Sequence, residues 1–176
     1  MRLRRIVSRL PFMQMIPSVI KPGPASNESR AERRVFEAMS SINIGQHAIC
    51  MHSLNLPQHE YKLLAELDFV IVCSRGILVL EVKGGGVNCD SNNIWTTEGR
   101  HGISRLSESP FNQARSGMYA LKNRLDDRSG SDFLRGTPYG FGVIFPDVSF
   151  TIDSTLEWDE EILLDRRALQ REGGLR

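Results

Sequence analysis

From Asn27 onward apolar residues recur at helical spacing, at Ala31, Val35, Ala38 and Met39, with Ser26, Asn27 and Ser29 as candidate N-caps. The pattern predicts a first helix ending between Ser41 and Gly45. His47 to Leu54 then reads as a strand, and Asn55 to Tyr61, with its proline and histidine, as a loop. Two strongly apolar runs follow, residues 67 to 73 and 77 to 83, joined by a short turn. Gly84-Gly85-Gly86 ends the second run, and Asn93 to Thr97 around Trp95 predicts a further strand, with the break at Asp90 to Asn93 favouring a hairpin. Ser109-Pro110 has the N-cap and first-turn pairing of a helix start, and Phe111, Ala114, Met118, Leu121 and Leu125 continue it at spacings of three and four. Tyr139 to Phe145 reads as a buried strand closed by Pro146, and Glu161 to Leu164 as a last short one.

The order helix, strands, helix, strand predicts an α/β protein with a mixed central sheet flanked by helices, a layout that gathers polar groups where strand ends meet. Residues 1 to 25, which hold Pro11, Pro17, Pro22 and Pro24, read as an extended or partly disordered basic lead-in. Residues 26 to 146 form the globular part. Residues 147 to 176 form a C-terminal extension with a short strand and a frayed end.

Three ionisable residues interrupt the two most apolar strands: Asp68, Glu81 and Lys83. Burying an unpaired charge costs several kcal/mol or more, so such groups demand partners. Residues two apart on a strand share a face, which puts Glu81 and Lys83 together with Leu80 and Val82 packed behind them. If the two strands form a hairpin whose paired residue numbers sum to 149, as in Val72 opposite Ile77, Asp68 lies across from Glu81. A one-residue slip sends it to the other face. Facing carboxylates repel unless a cation lies between them, and Mg²⁺ favours a pair of carboxylate oxygens completed by water and substrate phosphate. With Lys83 to orient a water or stabilise a developing anion, these are the parts of a phosphodiester hydrolase. The alternative from spacing is a partly buried Asp68–Lys83 ion pair with Glu81 ending its strand in water.

Composition narrows the picture. A chain of 176 residues suits one domain, and 40% hydrophobic with 24% charged residues is ordinary for a soluble protein. No apolar run approaches the length needed to cross a bilayer, and Arg9, Pro11 and Gln14 interrupt any signal-type segment, so a cytoplasmic protein without membrane partners is expected. Cys50, Cys73 and Cys89 have no metal-type spacing and read as reduced thiols. Net charge is only +1, but residues 1 to 34 carry eight cations against Glu28 and Glu32, whereas 153 to 165 holds six acids and no base. The basic front, with Arg30, Arg33 and Arg34, is suited to phosphate contact. The cations are 18 Arg and 4 Lys, which favours bidentate phosphate binding and is also what codon composition alone can produce.

Asp68 followed by Glu81-Val82-Lys83 resembles the Asp…(Asp/Glu)-x-Lys pattern of the PD-(D/E)XK nucleases. The chain is more closely similar to the nuclease-related domain (NERD) family. The similarity rests on Ala31-Glu32, Glu66-x-Asp68, the run Gly76 to Gly84, Trp95 and Pro110-x-x-Gln113-Ala114, within residues 26 to 146. It implies a restriction-endonuclease-like fold, Mg²⁺ (or Mn²⁺) held by Asp68 and Glu81, Lys83 beside the attacking water, and DNA as substrate. Glu32 and Gln113 match the family's accessory positions, Glu32 as a further carboxylate and Gln113 toward metal-bound water or phosphate. Ser29-x-x-Glu32 is equally a capping box. The family's domain often precedes a helicase, which implies a helicase partner in cis or in trans, in DNA processing or repair. A catalytically inactive module that binds nucleic acid or docks a helicase is the alternative. Two features depart from the family pattern: the lead from Asn55 to Leu64, and the triple glycine after Lys83.

Other chemistry has less support. His47, His52, His59 and His101 lack zinc-ligand spacing and read as surface or loop residues. No Gly-x-Ser-x-Gly elbow is present, and the triple glycine lacks the Gly-Lys-Ser/Thr of a phosphate loop. Trp95 and Phe111 read as core before base-stacking residues.

Overall fold

The computed structural model describes residues 13–20, 29–42, 44, 47–59, 62–99, 102–129, 134–151 and 160–170. Its elements are β1 (Gln14–Ile16), α1 (Arg30–Ser40), β2 (Ile49–His59), β3 (Lys62–Cys73), β4 (Gly76–Val82), β5 (Gly86–Cys89), β6 (Trp95–Gly99), β7 (Gly102–Arg105), α2 (Pro110–Ser129), β8 (Tyr139–Phe145), β9 (Leu163–Asp165) and α3 (Arg166–Gln170). The main sheet is six-stranded in the order β1-β2-β3-β4-β8-β9, and β5, β6 and β7 form a smaller three-stranded sheet. β2, β3 and β4 run as an antiparallel meander, whereas β1, β8 and β9 add in parallel. The sheet is therefore mixed, as the element order predicts.

Alternation along β4 divides the core into two layers. Leu80 and Val82 join Phe69, Ile71 and Ile144 beneath Ala31, Val35, Phe36 and Met39 of α1. Ile77 and Val79 join Leu67 and Val70 beneath Met118 and Leu121 of α2. A third cluster is aromatic: Trp95 and Phe111 are buried with Phe145, and Phe150 stacks on Trp95 with ring centroids 5.6 Å apart. Both aromatic residues weighed for base stacking are thus core. Gly117 lets α2 approach the sheet closely, because a Cβ there would come within 2.6 Å of Leu67 Cδ2.

The structure corrects the expected loop at Asn55 to Tyr61. Its described part, Asn55 to His59, continues β2, paired to β3 with register shifts around Pro57. β1 pairs only Ile49 to Met51, which leaves the far half of β2 as an edge where a residue without an N–H costs no ladder bond. The sheet also reaches beyond residues 26 to 146. β1 arises in the lead-in, anchored by buried Met13 and Met15, and β9 arises in the C-terminal part.

The triple glycine has a steric reason. A Cβ on Gly84 would lie 2.6 Å from Ala31 Cβ of α1, so only glycine lets the chain leave Lys83 beneath that helix. Gly85 has φ +80°, and a Cβ there would meet the Glu98 carbonyl at 2.4 Å. Gly85→Ala is expected to cost about 2 kcal/mol or more, read as a lower urea midpoint with unchanged m-value.

Candidate active site

The β3–β4 register is the one that brings the charged residues together: pairs from Cys73↔Gly76 through Val72↔Ile77 to Phe69↔Leu80 all sum to 149. The ladder stops one residue short of Asp68, whose Oδ2 accepts the Val82 N–H at 2.7 Å. A side-chain carboxylate thus replaces a backbone carbonyl where the two strands part. Neighbouring β2 is irregular at the same level. Its pairs pass from His52↔Phe69 to Leu54↔Leu67, and the intervening Ser53 is left-handed at φ +53°. Period-two alternation breaks on both strands. Met51 and Leu54 join the α2 layer, as do Leu67 and Val70 on β3, leaving His52 and Phe69 turned toward α1.

Glu81 is only 4% exposed, and Lys83 Nζ lies 2.6 Å from its Oε1. This corrects the alternative in which Glu81 ends its strand in water beside an Asp68–Lys83 pair. β4 is a central strand between β3 and β8, so Glu81 is enclosed on both sides. Burial pushes the Glu81 carboxyl up to about 7, with the Asp68 charge adding to the effect and Lys83 opposing it. Burial likewise pushes Asp68 up to about 6 against the Val82 hydrogen bond, with the charge of Glu32 adding to the rise.

Glu32 behaves differently. Its Oε1 accepts the Ser29 N–H at 3.2 Å while Ser29 Oγ accepts the Glu32 N–H, so the capping box is formed. Its Oε2 lies 3.4 Å from His52 Nε2. Burial pushes the Glu32 carboxyl up, but the bonds to His52 and Ser29 outweigh it and hold the group below its ordinary value. Ser29→Ala is expected to cost about 1 kcal/mol of stability in a denaturant melt through loss of the cap.

His52 also corrects the expectation of a surface histidine. Its side chain is 6% exposed, with Phe36 and Phe69 ring centroids at 5.8 Å and 4.8 Å. It shares the α1 side of β2 with Cys50, two residues earlier, and composition gives no warning of that.

The remaining predicted residues lie on α1 and α2. Arg30, Arg33 and Arg34 lie on α1 and, with Glu37 and Asp147, line a cleft of about 500 Å³. Arg34 forms an ion pair with Asp147, whose other oxygen accepts the Gly85 N–H at 2.7 Å. Asp147 thus ties α1 to the turn after Lys83. The sequence signal that could have found it is an acid just past β8, at the same sheet end as Lys83. Gln113 is half-buried, one turn before Gly117, and among the described residues no hydrogen bond joins it to Asp68 or Glu81. A second cavity of about 500 Å³, lined by Met39, Ile42, Cys73, Leu78 and Tyr139, lies around the β3–β4 turn. It is mostly apolar, with Arg75 as its charged lining residue, and sits at the opposite end of the hairpin from Asp68.

The donor set bears on which metal fits. Among the described residues no group of three or more His, Cys, Asp or Glu side chains is arranged to enclose an ion. Asp68 and Glu81 are hard oxygen donors. Each keeps one carboxylate oxygen without a hydrogen bond among the described residues. Two carboxylates with open positions fit Mg²⁺ or Mn²⁺, which keep water and substrate ligands, and not the closed tetrahedral set of structural zinc.

A mixed six-stranded sheet between helices, with an Asp, a Glu and a Lys at one end of its central hairpin, defines a restriction-endonuclease-like fold. No helix among the described residues is long and apolar enough to cross a membrane. A sequence model of the nuclease-related domain family matches residues 27–146, and the chain belongs to that family. Comparison with curated proteins and with solved structures returned no match.

Proposed function

We propose that this protein is a divalent-metal-dependent nuclease that hydrolyses DNA phosphodiester bonds, in DNA processing or repair in the cytoplasm. One observation carries the reading. The charges of Glu32, Glu66 and Lys83 act on Asp68, and those of Asp68, Lys83 and Glu32 on Glu81, so the ionised group holds more acids than its one ammonium offsets. A divalent cation offsets the excess, and a DNA phosphate would bring further charge that needs it. Bound by Asp68 and Glu81, Mg²⁺ or Mn²⁺ would supply Lewis acidity toward the phosphate and a more acidic water.

The protein's own residues do the rest. Asp68, held by the Val82 N–H, and Glu81, held by Lys83, are ligands fixed in place before any ion arrives. Lys83 opposes the negative charge that grows on the phosphate oxygens. Gln113 contacts phosphate or water from the first turns of α2, and Arg30, Arg33 and Arg34 set the register of the DNA backbone. Three free cysteines, with the Cys50 thiol pushed up to about 12 by burial, suit a reducing compartment.

Coupling to a helicase, in cis or in trans, belongs to this reading. A second reading is a non-catalytic module that binds nucleic acid or docks a helicase. It is favoured by the Lys83–Glu81 contact, which already gives one carboxylate a counter-charge. Incubating the chain with plasmid and single-stranded DNA in Mg²⁺ or Mn²⁺, beside Glu81→Ala, separates the two. Metal-dependent cleavage lost in Glu81→Ala supports the nuclease. Salt-sensitive DNA binding without cleavage supports the module.

A further inference from the structure

We infer that His52 is a positioning residue of the metal site: it holds the Glu32 carboxylate of α1 toward Asp68 and Glu81, an inference that rests on the metal-dependent reading above. Three observations converge on it. His52 is almost fully enclosed, flanked by the rings of Phe36 and Phe69, and the hydrogen-bond partner the structure gives its Nε2 is Glu32 Oε2 at 3.4 Å. A buried polar ring needs such a partner. Next, the chain is distorted directly beside it. His52 shares the α1 layer with Cys50, and a non-glycine residue in the left-handed region, Ser53, then breaks the alternation of β2 so that Leu54 returns to the α2 layer with Met51. Strain of that kind persists where surrounding structure requires it. Finally, the contact lies at the site. His52 pairs with Phe69, next to Asp68, and Ala31, next to Glu32, packs against Gly84 just past Lys83. What fixes Glu32 therefore bears on the pair, whose carboxyls its charge helps to raise.

An ionised carboxylate only accepts, so His52 must carry its proton on Nε2. Glu32 is then held from two sides, Oε1 by the Ser29 N–H and Oε2 by His52. Capping box and accessory carboxylate, rival roles for Glu32 in the sequence, become one arrangement: the cap sets the height of the side chain on α1, and His52 sets its rotation. Outer residues that orient metal-site carboxylates typically change metal affinity or activity by about 10- to 100-fold when removed.

The test is Mn²⁺ binding by the whole chain at one fixed pH, by calorimetry or by the Mn²⁺ paramagnetic resonance signal, with plasmid cleavage alongside. His52→Phe keeps a ring among Phe36 and Phe69 but removes the donor, and is expected to weaken Mn²⁺ binding by about 10-fold. His52→Gln, whose amide nitrogen can reach the place of Nε2, is expected to recover most of that affinity, and His52→Asn, which mimics Nδ1, is not. In the Glu32→Gln background His52→Phe is expected to cost nothing further, since its effect passes through Glu32. A purely structural histidine would lower the melting temperature without this rescue pattern or this non-additivity. If His52→Phe does not fold, the Gln and Asn variants carry the comparison. Wild-type affinity in His52→Phe, equal affinity for Gln and Asn, or additive losses with Glu32→Gln would overturn the inference while leaving the nuclease reading intact. A wild-type chain that neither binds Mn²⁺ nor cleaves DNA would overturn both.

Discussion

Lys83→Met is expected to cut DNA cleavage by about 10²- to 10³-fold while leaving Mn²⁺ affinity equal to or tighter than wild type. The position of the ammonium is the reason. Lys83 Nζ is 2.6 Å from Glu81 Oε1, on one of the two carboxylates assigned to the ion. Removing a positive charge from that position takes away repulsion toward an incoming cation, so binding does not suffer. What is lost is the cation facing the phosphate as negative charge develops there. Methionine keeps much of the apolar stem, which limits the loss to the charged head. Glu81→Ala behaves differently, because it removes a metal ligand and so abolishes binding and cleavage together. Calorimetry with Mn²⁺ beside a plasmid nicking assay separates these outcomes. If Lys83→Met cleaves at the wild-type rate, Lys83 has no part in the chemistry.

In the absence of metal, stability is expected to fall as pH rises from 5 to 8. The folded-state values of Asp68 and Glu81, about 6 and about 7, stand above their ordinary values of 3.8 and 4.5, so the native state holds protons more tightly than the unfolded chain. Stability from such groups is fully present below the unfolded values and is lost as pH climbs through the folded ones. Over this window the pair contributes a loss on the order of 4 kcal/mol, or roughly 10 °C in melting temperature for a chain of this size. Glu32, Asp147 and Asp165 are shifted downward, so their stabilisation is lost only as pH falls below the ordinary carboxylate range, outside the window. Glu81→Gln should flatten the slope, and saturating Mg²⁺ or Mn²⁺ at pH 8 should restore the melting temperature to near its pH 5 value. Thermal melts in chelator from pH 5 to 8 decide the matter. A flat profile would mean that the two carboxylates are not buried as a charged pair.

The site is unevenly legible in the chain. Glu81 and Lys83 can be read from it because a charge in a strand otherwise built of Ile, Leu and Val is costly unless something partners it, and strand periodicity gives the two one face. The register with Asp68 is legible too, since the short turn at residues 74 and 75 leaves little freedom in pairing Val72 with Ile77. His52 and Asp147 are not legible. His52 faces inward in phase with Cys50, but that this face of β2 lies under α1 is decided by how the helix packs on the sheet. Asp147 matters only because β8 pairs in parallel with β4 and brings the residue past Pro146 beside Gly85. The loop expected at Asn55 to Tyr61 fails for a related reason: proline is read as a breaker, yet Pro57 sits where β2 has become an edge.

Local spacing and the cost of burying charge are enough to set the α/β order of elements, the apolar faces of both helices, and the grouping of Asp68, Glu81 and Lys83. It takes the folded chain to establish that Glu81 pairs with Lys83, that Asp68 closes the ladder on the Val82 N–H, and that Glu32 is shared between its own helix cap and His52. Two of those contacts, Asp68 with Val82 and Glu32 with His52, join segments 14 and 20 residues apart. Their distances depend on how α1 settles over a glycine turn and how β2 is distorted at Ser53, and no local pattern of residues encodes either.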